Sequence, residues 1–215
     1  MVGSTLKARI LTVVATAACI PMSFVGAPYP DELVLQHVPT VLGLVIFTIV
    51  IIRFRPSTVS FVCATLFLWL HLIGARWIYS FVPYDGFFHS VLGITLSDHF
   101  GWQRNHYDRL VHFASGILGV PIASEILQRL CGMRPRGAAV MAVMSVLAVG
   151  AMYEILEWQI AKSLSPEQAE AYNGQQGDVW DPQKDMALAL FGAMIAAVFA
   201  LQWSPYDGRL AAQRK

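Results

Sequence analysis

The chain has 215 residues, of which 56% are hydrophobic and 13% charged, about half the charged share of an ordinary soluble domain. With a mean hydropathy of +0.53, a chain this short has too little interior to hide its apolar surface, so the bilayer is its natural solvent. The 15 basic and 14 acidic residues nearly cancel, and there is no basic patch with interleaved aromatics, which argues against a nucleic-acid partner.

A helix needs about 20 mostly apolar residues to cross the hydrocarbon core. Six stretches meet or approach this, at 10–27, 34–52, 58–79, 110–127, 138–161 and 186–203. They predict an all-α, polytopic membrane helix bundle forming a single domain, with no separate soluble domain. The first stretch follows Lys7 and Arg9 and resembles a signal peptide. Its length, and the span that soon follows, favour a retained helix. Pro21 and Pro121 fall inside the first and fourth stretches, where lipid-embedded helices tolerate them. Cys19, Cys63 and Cys131 form no C-x-x-C pair, which disfavours structural zinc and a disulfide framework.

Basic residues set the orientation. One set of loops carries Lys7, Arg9, Arg53, Arg55, Arg129, Arg134, Arg136, Arg209, Arg214 and Lys215, ten of the 15. The alternation predicts both termini in the cytoplasm of a bacterium, with the protein in its inner membrane. The two opposite loops, 80–107 and 162–184, are long and polar and are expected outside. A short interfacial helix is expected at 86–96, with Phe87, Phe88, Val91 and Leu92 at the headgroups. Trp77, Tyr79, Trp102, Tyr107, Trp158 and Trp180 would form an aromatic belt at the same level.

The ionisable residues gather at that level. Asp108 and His112 are i and i+4, on one face of the fourth span. Glu154 and Glu157 lie one turn apart near the end of the fifth, where a centrally placed acid would cost roughly 2.5–3.5 kcal/mol on insertion scales. Asp181 precedes Pro182, as an N-cap before a proline at the first helical position does, and Asp185 lies one turn further in. Asp178 stands just outside. His71 and Arg76 lie near the end of the third span. Arg76 is expected to snorkel and His71 to need a buried partner. Small residues, including Gly116, Gly119, Gly150, Ala189, Gly192 and Ala193, favour close packing. If the third to sixth spans are neighbours, these groups converge on one cavity.

At these residues the chain resembles the YjdF-like family of bacterial inner-membrane proteins, through Tyr107-Asp-Arg-x-x-His112-Phe, Tyr153-Glu-x-x-Glu157-Trp and Trp180-Asp-x-Gln-x-Asp185-Met. More remotely it is similar to VanZ-type membrane proteins, with Glu157 and Asp185 at positions where those carry amides, which makes this site more acidic. The resemblance implies the topology and the place of the site. It names no substrate.

Three functions fit these residues. The first is an outward-facing enzyme acting on a lipid-linked or cell-envelope substrate with a divalent metal ion. His112, Glu154, Glu157 and Asp185 are then the candidate ligands, Asp108 and Asp181 candidate base or neighbouring groups, and His71, Arg76, Arg109 and Tyr153 supporting residues. The second is a proton- or ion-coupled transporter relaying through Glu154 and Glu157. The third is a non-catalytic membrane factor whose polar cluster holds the bundle together. The bilayer is the expected partner throughout, with a small or lipid-linked ligand in the first two.

Overall fold

A computed structural model describes residues 2–165, 169 and 172–202. Trp203, Arg209, Arg214 and Lys215 lie outside the described residues. The elements are α1 (Val2–Ser23), α2 (Pro30–Phe54), α3 (Thr58–Arg76), α4 (Tyr84–Leu92), α5 (Leu96–Phe100), α6 (Tyr107–Cys131), α7 (Pro135–Ala161) and α8 (Asp181–Gln202). All are helices. Six of them, α1–α3 and α6–α8, are long and apolar enough to cross a membrane, and each overlaps one of the six apolar stretches. Large apolar side chains such as Leu11, Val45, Val140, Met152 and Phe199 are exposed along them. An apolar girdle of this extent suits lipid rather than water.

Local chemistry sets the helix ends. Pro30 and Pro135 occupy the first turns of α2 and α7, where a missing N–H costs nothing. The Ser57 hydroxyl accepts from the Ser60 amide at 3.2 Å to start α3, and the Ser57 amide donates to both Glu125 oxygens at 2.8 and 3.0 Å. Gly132 closes α6 in the left-handed conformation.

The long helices form two groups of three. In the first, Val13, Leu44 and Ile51 pack α1, α2 and α3 together. In the second, Val120, Ala142, Ala193 and Ala196 form the core of α6, α7 and α8. Helix α6 also packs on α3 and joins the groups, with Tyr107 and Val111 beside Leu70, Trp77 and Tyr79.

Several expectations are corrected. The first span ends at Ser23, short of Ala27, and the third at Arg76, short of Tyr79. Ile78 and Tyr79 have φ of 42° and 58°, which turns the chain back onto α3 so that the Tyr79 ring covers Gly74. A Cβ on Gly74 would lie 2.6 Å from that ring. The interfacial helix is two pieces, Tyr84–Leu92 and Leu96–Phe100, separated by Gly93 in the left-handed conformation. Tyr107 is buried and donates to the Leu70 carbonyl at 2.9 Å, so it belongs to the core and not to an exposed belt.

Candidate site at the α6–α8 entrance

The site depends on how closely α6 and α8 approach. A Cβ on Gly116 would collide with the Ala189 carbonyl and the Ala193 amide, and one on Gly192 with the Phe113 carbonyl. The two helices touch backbone to backbone and enter the bundle from the same end, as small-residue pairs allow. Gly116 follows Asp108 by eight residues and Ala189 follows Asp181 by the same interval. With Gly116 against Ala189, Asp108 therefore stands level with Asp181, and His112 with Asp185. Gly150 of α7 faces the Met186 sulfur and Gly119 faces Val146, which brings Glu154 and Glu157 to the same level.

The acids fall into two electrostatic sets. Asp181 is only 2% exposed, and Arg104 grips both of its oxygens, at 2.5 and 3.0 Å. Arg109 adds a contact to Asp181 at 3.2 Å and one to Asp178 at 2.6 Å. Lys184 reaches Asp178 at 2.5 Å. Hydrogen bonding to Lys184 holds the Asp178 carboxyl down to about 2. Arg104 also donates to the Gln175 and Gly174 carbonyls at 2.9 and 3.1 Å. Asn105 and Gln176 exchange bonds of 2.8 and 3.1 Å. Together these contacts latch the segment before α8 onto the start of α6.

The N-cap assignment changes accordingly. Helix α8 begins at Asp181, the Trp180 carbonyl accepts from the Lys184 amide, and Asp178 accepts from the Trp180 amide. Trp180 is thus the capping residue, and the Asp181 side chain serves Arg104 instead.

Among the described residues, the second set has no Lys or Arg ion pair. Asp108, His112 and Asp185 each place a ligand atom within 4.8 Å of the others. The His112 Nε2 atom stands 3.7 Å from Asp108 Oδ1 and 3.5 Å from Glu154 Oε1. Both separations exceed the 2.7–3.2 Å of a formed N–H···O bond. Asp185 is 2% exposed, and its Oδ1 has no hydrogen-bond partner among the described residues. A buried bare carboxylate oxygen costs too much to persist without a counter-ion or proton. Tyr153 lies one turn before Glu157 on α7. Burial, and next the Glu157 charge, push the Tyr172 hydroxyl up to about 12.

A cavity of about 280 Å³ adjoins this set, lined by Asp108, Glu154, Glu157, Asp181 and Asp185 together with Ile155, Trp158 and Pro182. Asn173 and Gln175 also line it.

His71 and Arg76 are not brought to the cavity. His71 accepts its partners from the first helix group, with Thr40 Oγ1 at 2.6 Å on one ring nitrogen and the Tyr79 hydroxyl on the other. Thr40 passes the chain to His37 at 3.3 Å, and His37 to Ser23 at 2.7 Å. Arg76 donates to the carbonyls of Ser23, Val25 and Gly26, closing the turn after α1, rather than snorkelling. Asn173 and Gln175 line the cavity, and Arg104 holds Asp181 beside it, without having been singled out in the sequence. They sit in polar segments with no apolar helical period to mark them.

The profile of a family described as predicted membrane protein (DUF2238) matches residues 7–205. The chain belongs to this family. It is 30% identical over 200 residues to the inner membrane protein YjdF of Escherichia coli (strain K12), covering 91% of this chain and 90% of that one. No solved structure matches it. As a member of this family, with six apolar helices, the chain is a multi-pass inner-membrane protein embedded in the lipid bilayer.

Proposed function

We propose that this protein binds a divalent cation through Asp108, His112 and Asp185 and uses the adjoining cavity to act on a lipid-linked or cell-envelope substrate at the outer face of the inner membrane. The observation that carries this reading is the bare Asp185 oxygen, buried beside an imidazole and a second carboxylate. Ligand atoms that share an ion at about 2.0–2.5 Å lie within roughly 4–5 Å of one another, as these do. Two carboxylates with an imidazole and no thiolate suit zinc or manganese better than a soft-metal site. Bound there, the ion would lower the pKa of a water and polarise an oxygen of the substrate. Glu154, beside His112, is placed to take the proton. Glu157 faces the rest of the cavity, and Asp178 and Asp181 keep the structural work of the latch.

The acids cluster at one end of the bundle, and among the described residues no second cluster of this kind lies at the midplane, which favours surface chemistry over a transport path. The alternation of basic loops supports this orientation, with both termini in the cytoplasm and the cavity outside.

Metal content of the purified protein tests the reading, with wild type compared with Asp185→Asn and Glu154→Gln. Wild type should retain a stoichiometric divalent ion, Asp185→Asn should lose it, and Glu154→Gln should keep it. Wild type that holds no ion when supplied with zinc or manganese would remove the proposal.

A further inference from the structure

We infer that the cavity takes the head group of a membrane amphiphile bearing a primary ammonium, admitted sideways from the bilayer between α7 and α8. The inference rests on the preceding reading only in taking this cavity as the working site.

Every ionisable residue lining the cavity is an acid. The neighbouring cations already have partners: Arg104 and Arg109 on Asp181 and Asp178, Lys184 on Asp178, and Lys162 over the Trp158 ring at 5.0 Å. The buried Asn173 Oδ1, like Asp185 Oδ1, has no donor among the described residues. With Asp108, His112 and Asp185 on the cation, the cavity still presents the carboxyls of Glu154 and Glu157 and the Asn173 carbonyl oxygen as acceptors. A ligand that satisfies them brings N–H donors and positive charge, whereas an anionic head group without them meets repulsion. The volume of about 280 Å³ lies just below the roughly 300–1,000 Å³ of pockets that enclose drug-sized ligands. It holds a head group, and the rest of the ligand stays outside. Within its lining, Ile155 and Trp158 are each 57% exposed on α7, with Met152 and Leu156 also exposed along that helix. In a membrane these side chains meet acyl chains.

Native mass spectrometry of the full chain in detergent tests this, with added phosphatidylethanolamine, phosphatidylcholine or phosphatidylglycerol and with metal content measured on the same preparation. The first lipid should be retained about tenfold better than the other two, a difference of about 1.4 kcal/mol. Glu157→Gln and Asn173→Leu should each erase that preference. Trp158→Ala, an exposed position that leaves the core intact, should weaken retention of the lipid. Equal retention of the three lipids, a preference that survives in both Glu157→Gln and Asn173→Leu, or displacement by soluble phosphoethanolamine as effective as by the lipid would overturn the inference. Metal-free protein with a Glu157-dependent preference upholds the inference and refutes the cation site. Metal-loaded protein without the preference does the reverse.

Discussion

Gly116 of α6 rests on the backbone carbonyl of Ala189 in α8, with no space for a side-chain carbon between them. This contact fixes the level at which Asp108 meets Asp181 and His112 meets Asp185, so the site is set by a pair of small residues two turns below it.

Enlarging Gly116 should therefore damage the site from a distance. Gly116→Leu forces two backbones apart, and overpacking of this kind costs about 1–3 kcal/mol or more. The expected outcome is a lower melting temperature of the detergent-purified protein and loss of metal retention. Gly86→Leu, at a position with open space around it, should leave both unchanged.

The latch makes a second prediction. Arg104→Ala leaves Asp181 buried and stripped of its main partner, a change that typically costs about 3–5 kcal/mol. Replacing both partners by apolar residues, Arg104→Met with Asp181→Leu, should recover much of the loss, because the desolvation cost of each charge disappears with it. Thermal unfolding of the two variants beside wild type checks this.

Asp178 predicts a pH window. Its carboxyl is held at about 2, below its ordinary 3.8, by Lys184 first and then by the Trp180 amide and Arg109. A depressed carboxyl stabilises the folded state above its unfolded pKa and loses that contribution as pH falls through the folded value. The stability gap between wild type and Asp178→Asn should thus be constant from neutral pH down to about 4 and close between about 4 and 2. Melting curves across that range measure it.

The six spans were legible because each long helix is a sustained apolar run, and lipid imposes that requirement on every turn. The ends of the spans were less so. Whether α3 stops at Arg76 or Tyr79 depends on Tyr79 folding back to meet His71, a tertiary contact that hydropathy does not register. The paired acids were visible from their i, i+3 and i, i+4 spacing, but their division was not. Asp181 and Asp185 share a motif and a face, yet one is taken by Arg104 from a loop 77 positions away and the other is left bare. Spacing along one helix carries no record of which acid a distant arginine reaches. Snorkelling is expected of Arg76 for the same reason, although the carbonyls it caps lie about fifty residues earlier.

Orientation can be read directly. In a cysteine-free background, Ser90→Cys in exposed α4 should react with a membrane-impermeant maleimide added to intact spheroplasts. The native Cys131, exposed at the opposite end of α6 and restored alone, should react only after lysis. The reverse pattern would place the cavity on the cytoplasmic side.

The central claim is that Asp108, His112 and Asp185 hold a cation while the Asp178–Asp181 set does not. Pulsed electron paramagnetic resonance of the purified protein loaded with manganese(II) reads the ion's neighbours. The spectrum should carry the nitrogen coupling of a ligating imidazole, which should vanish in His112→Ala and persist in Asp178→Asn. A manganese signal without nitrogen coupling, or one untouched by His112→Ala, would contradict the assignment.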